Sequence, residues 1–333
     1  MKTRSIQTLL LAATLGLLAT ACSNDSDQTV DITKPINVKL LLTTTGTNIP
    51  ISRAAIGATE FDKDDVLGLY IAHTTGAEGD SPITSSLAPK NAPWVNGSFT
   101  GEPLYWQNVT DKHTLYAYFP YTENATDGYT VPNVSIKSDQ NSSSTAADYE
   151  AADLLWGKCT TVATNNASIS MKHCMSQITV TLSPGDGYSS FLPDIDKVEL
   201  LCSAGFALSG TWNLADGKVT KANDAAATDA AAASTTSITT YAHSVAGATT
   251  YRAIVLPGQA FTNSSQFVKV TSGSNTYTYY LAMSSSENLT TEANKTYNFD
   301  LSLNKAGLTL KGITIAAWDT DEIEGDAGMD IGN

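Results

Sequence analysis

Positive charge is scarce in this chain. Its 333 residues include 19 lysines and arginines against 33 aspartates and glutamates, for a net charge of −14, and only Arg4, Arg53 and Arg252 are arginines. Charged residues make up 16% of the sequence, against about 25% in an ordinary soluble domain. Such a chain repels a phosphate backbone, which excludes nucleic acid as a partner. The four histidines, His73, His113, His173 and His243, form no pair at the i, i+2 or i, i+4 spacings from which zinc sites are built. No P-loop, G-x-G-x-x-G fingerprint or G-x-S-x-G elbow is present, so no cofactor, metal or catalytic residue is assigned and the chain does not read as an enzyme. Past residue 21 no run approaches the ~18 apolar residues that a spanning helix requires. Glycine and proline, at 23 and 11 residues, are too ordinary for a collagen-like or wholly disordered chain.

What the sequence has instead is neutral polarity. Serine, threonine and asparagine account for 97 of the 333 residues, a composition suited to strands and turns rather than to charge-rich surface helices. Apolar residues recur with a period of two. Ile36, Val38, Leu40 and Leu42 share one face, as do Ile178, Val180 and Leu182. Further short runs at 66–71, 103–106, 115–119, 198–202, 251–256, 267–270, 277–281, 297–303 and 308–316 are separated by Gly, Pro, Asn and Ser turns. No segment carries a helical stripe of useful length. The expected fold is all-β, built of β-sandwiches.

The first segment is an address. Lys2 and Arg4 precede an apolar run at 9–18 and the small residues Ala19, Thr20 and Ala21, which is the pattern of a secretory signal peptide over residues 1–21. Cys22 follows directly, so the site reads as lipobox-like, with Cys22 accepting the acyl chains. Burial at about 0.8 kcal/mol per CH₂ makes several such chains a stable anchor without a membrane helix. Loss of residues 1–21 removes Lys2 and Arg4 and takes the net charge from −14 to −16. Residues 22–35 are then a short polar tether.

Three cysteines remain, Cys159, Cys174 and Cys202, an odd count that leaves at least one thiol unpaired. Three core thiols are the favoured reading and a Cys159–Cys174 disulfide the alternative. The turn-rich 183–187 gives the best boundary, separating an N-terminal unit over 36–184 from a C-terminal unit over 188–318, with an acidic tail at 319–333. The stretches 114–121 (TLYAYFPY) and 250–259 (TYRAIVLPGQ) are each a strand running into a proline, a faint internal echo. Residues 222–236 and 141–145 read as exposed loops. Asp62, Asp64 and Asp65 read as a solvated turn, and the acidic run 319–326 matches a calcium loop only loosely, lacking its glycine position and closing glutamate. The five tryptophans suit sandwich cores better than a sugar-stacking surface.

Arg53 is the sharper feature. It lies just behind the first apolar strand (36–45), in a stretch rich in Thr, Gly, Pro and Ile. An arginine-specific or trypsin-like protease cutting between Arg53 and Ala54 would release the lipid anchor and that strand together. Removing Ile36, Val38, Leu40 and Leu42, at ~1.5–3 kcal/mol per buried side chain, would leave an apolar groove. A strand from another chain could fill it by main-chain pairing. A lone surface arginine with no processing is the plainer alternative.

The order of several segments resembles the fimbrillin family, in its Mfa-like branch. The carriers are Arg53-Ala54 followed by FDKDDVLGLY (61–70), PLYW (103–106) with AYFPY (117–121), DLLW (153–156), MKHCMSQITVTL (171–182), IVLPGQ (254–259) and ITIAAW (313–318). The resemblance implies two transthyretin-like β-sandwich domains and a structural or adhesin subunit of a surface fimbria. It also implies a palmitoylated outer-membrane lipoprotein, loss of the first strand after an arginine such as Arg53, and polymerisation by strand exchange with other fimbrial subunits. A host or bacterial glycan or protein would be the receptor of an adhesin. The alternative function is a monomeric, anchored glycan-binding lipoprotein. Residues 319–333 offer only Ile323, Met329 and Ile331 as apolar side chains, a thin stripe for a donated strand, so a donor would extend into 308–317, or the C-terminus would stay folded as in a tip or accessory subunit.

Overall fold

The computed structural model describes residues 29–43, 48–49, 65–73, 90–95, 98–123, 125, 129–142, 147–188, 190–222, 234–245, 248–283 and 288–318. The first half contributes β1 (Val38–Thr43), β2 (Asn48–Ile49), β3 (Leu67–His73), β4 (Lys90–Val95), β5 (Ser98–Phe99), β6 (His113–Phe119) and β7 (Thr130–Ser135), then the one-turn helix α1 (Ala147–Glu150), β8 (Leu155–Thr161) and β9 (Ala167–His173). The second half contributes β10 (Ser176–Pro184), β11 (Lys197–Ala207), β12 (Ser209–Asn213), β13 (Lys218–Lys221), β14 (Ser234–Thr239), β15 (Tyr241–Val245), β16 (Ala248–Val255), β17 (Ala260–Phe261), β18 (Gln266–Ser272), β19 (Asn275–Tyr280), β20 (Leu289–Thr290), β21 (Lys295–Asn304) and β22 (Gly307–Ala317). The all-β expectation holds.

Eight strands form the first sheet, in the order β2-β1-β9-β8-β6-β3-β4-β5, with β1 and β9 parallel. A five-stranded sheet follows, β15-β16-β10-β21-β22, and again one pair, β10 with β21, is parallel. A four-stranded sheet, β14-β11-β18-β19, and a three-stranded one, β13-β12-β7, complete the layers, with β17 and β20 as a short pair. β10 precedes the turn at 183–187, yet both of its partners, β16 and β21, lie in the second half. Only Cys174 and Met175 separate β9 from β10, so the chain steps from one sheet into the next within two residues.

The two faces of the first sheet have different neighbours. One face, with Leu67, Leu69, Leu115, Ala117, Phe119, Ile169 and Met171, closes over Leu104, Trp106, Ile36 and Val38. The other carries Tyr70, Tyr116, Tyr118 and Trp156 into a larger core shared with Trp212, Leu214 and Val219 of the second half. β7 reaches across to pair with β12, and Trp212 meets Tyr118 edge-on at 5.5 Å. Gly68 is required here: the Tyr118 ring lies over the strand, and a Cβ on Gly68 would sit 1.9 Å from it. Gly68→Ala is therefore expected to cost about 1–3 kcal/mol through overpacking, read as a lower urea midpoint at unchanged slope.

The run 103–106, expected as a strand, is instead an extended connection between β5 and β6, with Leu104 and Trp106 buried and Tyr105 exposed. Pro103 lacks the N–H that a ladder would use. Part of the stretch read as a loop at 222–236 is strand, since β14 begins at Ser234; 223–233 lie outside the described residues, as do Asp62, Asp64 and the acidic tail. Cys174 and Cys202 are buried free thiols, so a Cys159–Cys174 bridge is not formed; Cys159 is itself disulfide-bonded, so the expectation of three core thiols does not hold either. All five tryptophans are buried, because their large apolar rings fill the space between sheets.

Candidate functional site

β1 sits next to the margin of the eight-stranded sheet, with only the two-residue β2 beyond it. Alternation sets its faces: Ile36 and Val38 are buried, Leu40 is half-buried against the same core, and Asn37 and Lys39 point to solvent. The backbone of β1 runs parallel to β9 with Val38 opposite Ala167, Leu40 opposite Ile169 and Leu42 opposite Met171. The Ile36 N–H donates to the Leu104 carbonyl at 2.9 Å, and the Ala167 N–H to the Asn37 carbonyl at 3.0 Å. Asn37 also donates from Nδ2 to Asn166 Oδ1 at 2.7 Å. Trp106, which floors the same core, is tied to the Thr164 carbonyl through its indole N–H at 3.1 Å. The strand thus has an apolar underside and is held to β9, to the two-residue β2 and to one connection.

The sequence-derived residues fall on both sides of what the structure describes. Ile36, Val38 and Leu40 pack on one core, and the backbone of Leu42 continues the ladder. Cys22, Arg53 and Ala54 lie outside the described residues.

β9 is paired on both sides. Five of its residues, Ala167 to Met171, register with β1, whereas only Met171, Lys172 and His173 register with β8. At that second end lies a cluster that sequence reasoning did not assemble. His173 Nδ1 is 2.8 Å from Asp153 Oδ1, so the imidazole N–H donates to the carboxylate. Trp318, the residue after β22, stacks flat on the His173 ring at 4.1 Å between centroids and 4° between planes. The Trp318 N–H donates to the Asn294 carbonyl at 3.0 Å, and the Asn294 N–H to the Met175 carbonyl at 2.9 Å. Asp153, His173 and Trp318 lie far apart in the chain, and no local pattern announces their meeting.

Burial, reinforced by the nearby Asp153 carboxylate, pushes the Cys174 thiol far above its ordinary range, out of reach of nucleophilic use. Register places His73 opposite His113 across β3 and β6, but no group of three or more His, Cys, Asp or Glu that could hold a metal occurs among the described residues. No helix among them is long and apolar enough to cross a membrane.

A second missed residue is Gln140. Its side chain behaves as a piece of strand: Nε2 donates to the Ile254 carbonyl at 2.8 Å and Oε1 accepts from the Ile254 N–H at 2.9 Å. Gln140→Leu would leave both groups buried without partners. The expected loss is about 2–4 kcal/mol, checked by urea unfolding.

A model of the family described as fimbrillin-like matches residues 52–318. The chain belongs to the fimbrillin-like family. The match opens after β1 and β2 and closes on Trp318. Among solved structures, a candidate cell adhesion protein from Bacteroides ovatus is similar, with a TM-score of 0.60 and 19% identity, over 87% of this chain and 99% of that one. Another, from Bacteroides uniformis, has a TM-score of 0.58 and 16% identity, over 86% and 98%. These likenesses concern the fold. No curated protein matches the chain. Membership supports a subunit role in a cell-surface fimbria, alongside other fimbrial subunits, for this fimbrillin-like protein. The motif residues also acquire positions. Leu104 and Trp106 share the core under β1, Ile254 is clasped by Gln140, and Gln259 donates to the Gly205 carbonyl at 2.9 Å and accepts from the Ala207 N–H at 3.2 Å.

Proposed function

We propose that this chain is a structural or adhesin subunit whose β1 is removed and replaced by a strand from a neighbouring subunit. The observation that carries the reading is the place of β1. It lies at the sheet margin, covers an apolar row with Ile36, Val38 and Leu40, and precedes the segment matched by the family. Its departure breaks pairing with β9 and with the two-residue β2 and no other strand pairing among the described residues. The vacated edge would present the N–H and C=O groups of β9 together with the apolar row Ala167, Ile169 and Met171, a template for main-chain addition. Arg53 supplies the cleavage point, between Arg53 and Ala54, for an arginine-specific or trypsin-like protease. Cys22 supplies the lipid attachment that holds the precursor at the outer membrane until then.

We further propose that the two sandwich units divide at Cys174 and Met175. β10 would then open the second unit as β1 opens the first, each lying parallel to a later strand of its own unit.

The test is limited trypsin treatment of the purified lipid-free precursor, with terminal sequencing and electron microscopy. A new terminus at Ala54 followed by ladders and filaments is expected, and Arg53→Ala should yield neither. Stable monomers that keep residues 22–53 through the treatment would overturn the reading.

A further inference from the structure

Arg252 is the one arginine among the described residues, and among those residues no carboxylate pairs with it, in a chain with 33 aspartates and glutamates. Its Nε donates to Thr250 Oγ1 at 3.1 Å, and the two Nη groups have no protein partner among the described residues. Register settles its surroundings. Tyr241 of β15, Arg252 of β16, Thr179 of β10, Asn298 of β21 and Thr314 of β22 form one row across the five-stranded sheet. Their neighbours Ala253, Ile178 and Tyr297 fill the core, so alternation turns the Arg252 row to the opposite face. Asn298 is 8% exposed and its Nδ2 has no hydrogen-bond partner, a costly state for a buried donor.

Aromatic rings flank the row. Tyr149 of α1 is buried and stacks on Tyr241 at 5.3 Å and 26° between planes, and Tyr241 lies 6.1 Å from His243. Gln177 Nε2 donates to the Tyr149 hydroxyl at 2.6 Å, which holds that backing ring in place. Burial pushes the Tyr149 phenol up and the Arg252 charge opposes it, while burial lowers His243 and the Arg252 charge adds to it. The guanidinium thus lies within electrostatic reach of both ends of the strip. Arg252, Tyr241 and His243 are half-buried, so each keeps a side open to solvent.

We propose that this face of the five-stranded sheet binds an acidic sugar, with Arg252 holding its carboxylate and Tyr241 and His243 lying against its ring. A guanidinium fork meets a carboxylate in two parallel hydrogen bonds, and nothing on the protein already occupies it. The aromatic faces supply flat apolar area for the C–H side of a sugar, and Asn298 offers a donor to a hydroxyl, directly or through a water. Asp300, exposed one row further along the same face, opposes a second negative charge on the ligand. The inference goes beyond the assembly reading and does not depend on it, since none of β10, β15, β16 and β21 pairs with β1.

The test is a magnetic-resonance titration of the uncleaved, lipid-free precursor. Past residue 21 the arginines are Arg53 and Arg252, so Arg53→Lys leaves one arginine Nε–H resonance, that of Arg252. Glucuronate should shift it with a dissociation constant of about 1 mM, ordinary for a single sugar on an open face. Glucose, which lacks the carboxylate, and acetate, which lacks the ring, should each bind at least about tenfold more weakly. With the backbone amides of 241–243 as reporters, Arg252→Met and Arg252→Lys should each lose about tenfold in affinity, because lysine keeps the charge but not the fork. Unchanged far-ultraviolet dichroism separates lost binding from lost fold, and the comparison of the three ligands decides by itself if a variant does not fold. No shift with glucuronate well above that concentration would overturn the proposal. So would acetate binding as well as glucuronate, which marks an adventitious anion only, glucose binding as well, or an Arg252→Met chain with undiminished affinity.

Discussion

Val38→Lys is expected to destabilise the uncleaved chain by roughly 2–4 kcal/mol and to leave the cleaved, assembled product unchanged. Val38 is 6% exposed and faces Ala167 across the ladder. Replacing it removes about 1.5–3 kcal/mol of apolar burial and brings an ammonium to the groove, which must reach water along the strand or stay partly desolvated. β1 would then detach more often, and the exposed β9 edge would recruit other chains without a protease. Size-exclusion chromatography of the uncleaved variant should show oligomers where the unaltered chain is monomeric. After cleavage behind Arg53 the substituted residue leaves with its segment, so filaments from the two chains should melt together. A matching loss of stability in the cleaved filaments would show that β1 stays in the assembly, contrary to the exchange proposed here. Lys39→Ala is the control: Lys39 points to solvent beside Val38, and its replacement should change neither form.

The strand pattern was legible because the physics that sets it is local. Ile36 and Val38 are buried and Asn37 and Lys39 exposed, as a period of two requires. The same signal located β6, β10, β16, β18, β21 and β22. It could not say which strands pair. β10 alternates equally well in either half, and only its register with β16 and β21 assigns it to the later sheet. It also mistook 103–106 for a strand, because Leu104 and Trp106 alternate inward although Pro103 and the loop geometry leave no ladder there. The apolar face of β1 was legible, since Ile36, Val38 and Leu40 carry it themselves. The cluster of Asp153, His173 and Trp318 was not, for each residue is unremarkable locally and their meeting depends on the step at Cys174 and Met175. Gln140 escaped for the same reason: a polar residue after an exposed turn becomes buried only when β16 arrives beside it.

Trp212→Ala carries the largest expected cost in stability. Trp212 is 1% exposed, lies edge-on to Tyr118 of the first sheet, and pairs through its backbone with Val131 of β7 and Val219 of β13. It belongs to a core whose members come from both halves of the chain, including Tyr70, Tyr116 and Trp156 on one side and Leu200, Phe206 and Phe299 on the other. Truncating a buried tryptophan costs about 3–5 kcal/mol, transfer and cavity terms together, a large share of the 5–15 kcal/mol by which a domain is stable. If the shared core makes the two halves one cooperative unit, Trp212→Ala should lower the urea midpoint of a single transition, with tryptophan fluorescence and far-ultraviolet dichroism moving together. If the halves are energetically separate, the variant should split unfolding into two steps, the first reporting loss of the β7–β12 pairing while the β1–β9 edge remains protected from amide exchange. The second outcome would place the seam, rather than the groove, as the weak point of the subunit. The strand exchange proposed above requires the first outcome, because an emptied edge would keep its shape only if the sheet around it were braced from behind, and Trp212 packs on the face of that sheet opposite the one carrying Ile36 and Val38.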